Sequence, residues 1–95
     1  MKDLLAQVQH LFKTAEGLPE PFYDSHGVIT NWPLQVQMEL KQVIVAISET
    51  AMTEELGRLA TWYKSFQDPR IPPALFHIIS RCLYDNPNLE IAMGD

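Results

Sequence analysis

A single cysteine, Cys82, stands in this chain, so no disulfide can form within it and nothing calls for an oxidising compartment. Cationic side chains are few and dispersed. Lys2, Lys13, Lys41, Arg58, Lys64, Arg70 and Arg81 are outnumbered by twelve acidic residues, and a formal charge of −5 over 95 residues leaves no clustered basic surface for a phosphate backbone. The four glycines, at 17, 27, 57 and 94, are isolated, so no glycine-rich loop can cradle a phosphate. No Cys/His spacing fits structural zinc, and neither a metal nor a cofactor is expected. Apolar runs fall short of the roughly 18 residues needed to cross a bilayer. Lys2 is followed by Asp3, Gln7, Gln9 and His10 instead of the apolar core of a signal peptide. A cytoplasmic protein without a membrane span is the expectation.

What the chain does carry is apolar periodicity. Hydrophobic residues make up 46% of it, enough for one domain with a core of its own, and residues 1–95 are read as that domain. Between Asn31 and Ser48, at about 100° per residue, Val36, Leu40, Val43, Ile44 and Ile47 share one arc with Trp32 at its edge. Leu34, Met38 and Val45 form a second, narrower stripe. A helix with two apolar faces touches something on both sides. The second stripe is therefore expected either to be covered from within, by Phe22 and Tyr23 or by Ile91 and Met93 of the tail, or to meet another chain. Alternation from Leu34 to Leu40 and the β-branched run VIVAI also suit a strand, which gives an α+β alternative with a small sheet from residues 28–47 and the C-terminal tail. A strand of about fifteen residues would be far longer than usual, whereas Pro33 suits a first helical turn with Asn31 or Thr30 as its cap.

The flanking segments are one-sided. From Asp3 to Glu16, Leu4, Leu5, Val8, Leu11, Phe12 and Ala15 lie on one arc, and Gly17 followed by Pro19 ends the helix. Residues 18–30 read as a folded loop whose Asp24-Ser25-His26-Gly27 forms a turn and whose aromatics cover the core. Thr53 is expected to cap a helix carrying Leu56, Leu59, Ala60, Trp62, Tyr63 and Phe66, although one long helix through residues 33–66 is also compatible with the pattern. After the stiff Arg70-Ile71-Pro72-Pro73 connector, Ala74 to Tyr84 reads as a last helix, and residues 86–95 as an extended or frayed tail. The expected architecture is an all-α bundle of about four helices, three one-sided ones around the two-sided helix.

Candidate sites are sparse. His77, Ser80, Arg81 and Tyr84 share one side of the last helix and could form a polar face for a ligand, though a plain solvated surface has the same composition. Asp24, Ser25 and His26 contain the residue types of a hydrolase triad, but neighbours on one turn cannot align nucleophile, base and acid. His77 and Cys82, five apart, diverge by about 140° on a helix. What remains is the second stripe, with Leu34, Met38 and Val45 flanked by Lys41, as an interface with a protein partner or a second copy of the chain. The expected function is a non-enzymatic interaction module, a small acidic adaptor or regulator. A nucleic-acid-associated regulator using the last helix, or a ligand-binding or catalytic bundle, are the alternatives.

Overall fold

Five helices, set off by turns, make up the architecture of the described residues. The computed structural model describes residues 3–93, and Gly94 and Asp95 at the end of the expected tail lie outside them. Helix α1 spans Leu4–Thr14; the Asp3 carboxylate caps it by accepting from the Ala6 amide at 2.7 Å. It ends where Gly17 adopts φ of +82°, a conformation that costs a glycine little, and the Gly17 amide donates to the Arg70 carbonyl at 2.8 Å. Helix α2 spans Leu34–Glu49, α3 Thr53–Ser65 and α4 Pro73–Tyr84.

Two cap assignments differ from the sequence expectation. Asn31 does not cap α2, because its amide staples the preceding loop: Oδ1 accepts from the Phe22 amide and Nδ2 donates to the Glu20 carbonyl, both at 2.9 Å. The N-cap position falls to Pro33, without a side-chain bond. Likewise Thr53 is the first helical residue of α3 and Met52 occupies the cap position. The break between α2 and α3 excludes a single long helix through residues 33–66. It is made where Thr50 turns extended (φ −76°, ψ 131°).

The tail is neither strand nor extended. Asn88–Met93 forms a short helix, α5, so the sheet alternative fails, and no strand occurs among the described residues beyond an isolated bridge between Tyr23 and Ile29. Asn86 explains the outcome. This buried amide donates to the Ile47 carbonyl at 2.5 Å and the Thr50 carbonyl at 3.2 Å, satisfying acceptors left open at the end of α2. Its own oxygen accepts from the Asn88 amide at 2.9 Å, which starts α5. Leu89 then buries against the core, and the Ala92 carbonyl passes over Gly57 of α3.

Helix α1 packs between α2 and α3, α2 packs chiefly on α1 and α4, and α5 lies on α3. The two-sided helix is thus not the hub that its two stripes suggest. Val36, Leu40, Val43 and Ile47 of its wide arc are buried, whereas its second stripe points outward. Phe12 of α1 is nearly inaccessible, and its ring centroid lies 5.1–6.1 Å from those of Trp62, Tyr63, Phe66 and Phe76. These tilted and edge-on contacts join α1, α3 and α4. The Tyr63 hydroxyl donates to the Phe76 carbonyl, and burial holds its pKa well above that of a free phenol.

Candidate interaction surface

The residues left outside this packing mark the surface. Leu34, Met38 and Val45 are 70%, 54% and 47% exposed, so the expectation that internal groups cover them fails. Neither proposed cover is in place. Phe22 and Tyr23 are themselves exposed instead of covering the core, and Ile91 projects from the outer side of α5. The hydrogen bonds of the loop fix its backbone. Asp24 Oδ1 accepts from the amides of His26 (2.8 Å) and Val28 (2.9 Å), the Gly27 amide donates to the Asp24 carbonyl, and Gly27 takes φ of +79°. Asp24–Val28 and Thr30–Phe22 backbone bonds, at 2.9 and 2.8 Å, close a small hairpin. Its alternation buries Ile29 and leaves Val28 exposed. The Trp32 indole, buried at the foot of α2, donates to the Pro19 carbonyl at 2.8 Å and anchors the other end of the loop.

Val28 therefore stands beside α2. Together with Leu34, Met38, Lys41 and Ile44 it lines a groove whose floor includes Leu40, and Met38 and Lys41 continue it toward Val45, Ala46 and Glu49. All four residues expected at the interface, Leu34, Met38, Lys41 and Val45, lie on this one face. Glu39, by contrast, turns away from it. Its Oε1 lies 3.1 Å from His10 Nδ1 on α1, and its Oε2 is buried without a hydrogen-bond partner. The charges bordering the groove are Lys41 and Glu49, of opposite sign.

The second set of candidates lies on α4. His77, Arg81 and Tyr84 are exposed and Ser80 is half-buried, and Arg81 Nε approaches Asp85 at 3.9 Å. Arg70, the other cation that could extend a basic face there, donates to Asp68 at 2.9 and 3.1 Å and to Glu16 at 3.4 Å. Both arginines are thus countered by acids, which removes the charge excess that a phosphate ligand needs. Asp68 is held below the usual carboxylate range chiefly by its hydrogen bonds from Arg70. The Cys82 thiol is pushed up by partial burial, with Asp85 adding to the effect, which disfavours the thiolate that a nucleophile requires. Asp24, Ser25 and His26 form the turn just described. Glu54 pairs with Arg58 at 3.5 Å. Among the described residues no three His, Cys, Asp or Glu side chains gather as a metal site, and no helix is long and apolar enough to cross a membrane.

Sequence reasoning did not find three features. Val28 needs the hairpin register to be placed beside α2. The His10–Glu39 contact joins residues whose helices pair only in the fold. Asn86 carried a detectable signal, an Asn-Pro following a helix, but nothing in the sequence points it at the end of α2. No protein-family model, curated protein or solved structure matches the chain.

Proposed function

We propose that this chain is a non-enzymatic interaction module, a small acidic adaptor or regulator acting in the cytoplasm, that docks the apolar face of another helix along the outward side of α2. The observation that carries this reading is the uncovered row of Leu34, Met38 and Val45 on a helix whose opposite arc buries Val36, Leu40, Val43 and Ile47. Single exposed apolar residues are ordinary on any protein, but a contiguous row is not. A hydrogen-bonded hairpin holding Val28 beside the row supports the same reading, because a fixed wall reduces the ordering cost of binding. Met38 offers a flexible thioether that can adapt to a partner's side chains.

The test uses wild type, Met38→Asp and Arg81→Ala as baits in extracts of the source cells, followed by binding measurements with the purified partner. Wild type and Arg81→Ala should retain the partner with similar affinity, and Met38→Asp should weaken it at least tenfold. Equal retention by all three would remove α2 from the interaction, and selective loss in Arg81→Ala would move the function to the face of α4.

A further inference from the structure

The outward face of α2 has a regularity that specifies a partner. Leu34, Met38, Lys41, Val45 and Ser48 follow spacings of four, three, four and three, all five exposed. That is the narrow seam of a two-helix coiled coil, with Leu34, Lys41 and Ser48 in one set of core positions and Met38 and Val45 in the other. We propose that the partner is a second copy of this chain, with its α2 antiparallel across a two-fold axis near residues 39 and 40. The proposal rests on the reading of α2 as an interaction surface.

Three observations on the molecule favour this occupant and this direction. In a parallel pair each seam residue meets its own copy, so Lys41 would face Lys41 inside a partly dehydrated seam, where like charges repel. In the antiparallel pair the layers become Leu34 with Val45 and Met38 with Lys41, each occurring twice. The lysine stem then lies along the methionine of the other copy while its ammonium reaches water. The second observation is charge. The chain carries a formal −5, so most encounters between copies are repulsive. The groove does not add to this repulsion, because its bordering charges, Lys41 and Glu49, are of opposite sign and Glu39 is withdrawn to His10 on α1. Third, antiparallel pairing sets the Val28 hairpin, at the start of one α2, near the Val45 end of the other, which extends the apolar contact beyond the helices.

Size sets the strength. At 1.5 Å per residue the seam from Leu34 to Ser48 is about 21 Å long. A stable interface covers about 800 Å² per partner, more than a tenth of the 6130 Å² that this chain exposes. One helix stripe and a hairpin tip give less, so the dimer should be weak, with a dissociation constant of about 1–100 μM.

Sedimentation of the full chain from about 1 to 1000 μM should therefore show mass rising from 10.9 kDa toward twice that value. Met38→Asp should weaken association at least tenfold. Lys41→Leu, which relieves the seam of its only cation, should strengthen it by a similar factor. If circular dichroism shows Met38→Asp unfolded, Leu34→Gln replaces it with the same expected direction. Orientation is read in a Cys82→Ala background with a short thiol cross-linker: a mixture of Leu34→Cys and Val45→Cys chains should link, and neither alone. Self-linking of each single variant would mean a parallel pair and overturn the proposed register. Wild type at monomer mass throughout overturns self-pairing altogether, while the bait comparison above, which needs no dimer, decides separately whether α2 binds anything.

Discussion

Phe12, Tyr63 and Asn86 each hold together elements that are distant in sequence, by different physics. Phe12 fills the space between four other aromatic rings, so Phe12→Ala removes a large side chain and leaves a cavity that three helices cannot easily collapse. A loss of about 3–5 kcal/mol is expected by chemical denaturation. Tyr63 acts through one hydroxyl. Because its folded-state pKa is raised by burial, the protonated form is favoured on folding, and the associated stability is intact below the free phenol value near 10 and declines as pH rises beyond it. Tyr63→Phe should flatten this alkaline decline, which denaturation series across that range can measure. Asn86 is different again, since its amide answers two carbonyls that the end of α2 leaves open. Asn86→Ala should cost about 1–3 kcal/mol, and amide exchange in α5 should rise with it.

Individual helices respond according to the face that is changed. Leu40→Ala lies on the buried arc of α2 and should cost about 2–5 kcal/mol. Val45→Ala on the opposite arc should stay within about 0.5 kcal/mol, the usual range for surface sites. Comparable losses at both positions would show that the outward stripe is buried in solution. In α3, Gly57 is covered by α5, yet a Cβ there would meet only the Ala92 carbonyl, at an ordinary 3.7 Å. Gly57→Ala should therefore raise the thermal midpoint, gaining up to about 1 kcal/mol of helix propensity. A fall in the midpoint would mean that α5 approaches more closely than this. The connector before α4 is fixed electrostatically at Arg70, which bridges Asp68 and the end of α1. Asp68 contributes most above its free value of 3.8 and progressively less as acid protonates it. Arg70→Ala should raise the Asp68 pKa toward that value in a carboxyl NMR titration.

Taken as one body, the molecule has a core that leaves one helix only half used. The aromatic cluster and the bonds of Asn86 tie α3, α4 and α5 to the rest without calling on the outer stripe of α2. Stability and association are thereby separable. Met38→Asp should leave the helical spectrum unchanged and denaturation within about 0.5 kcal/mol of wild type, while it weakens whatever contact the stripe makes at least tenfold. A large stability loss in dilute, monomeric protein would contradict the separation.

Local order was written in the chain itself: apolar spacings marked α1, the buried arc of α2, α3 and α4, while Asp24, Gly27 and Gly17 marked turns that need a side-chain acceptor or positive φ. Such features depend on residues within a few positions of one another, so periodicity and turn chemistry suffice to reveal them. The candidate surface was half legible in the same way, since the angles separating Leu34, Met38 and Val45 from Leu40 and Ile47 follow from helix geometry alone. Whether that stripe would be covered did not, because covering depends on where Phe22, Tyr23 and Ile91 come to rest. The tail reads from the sequence as extended or frayed, with a strand only in the α+β alternative, and a strand needs a paired edge. Asn86 instead met open carbonyls on α2, thirty-six and thirty-nine residues away in sequence, and Leu89 found the core, so the tail became a helix. Glu39 was decided likewise, by the approach of His10 on α1. Contacts of this range carry no local period, and only the folded chain brings their partners together.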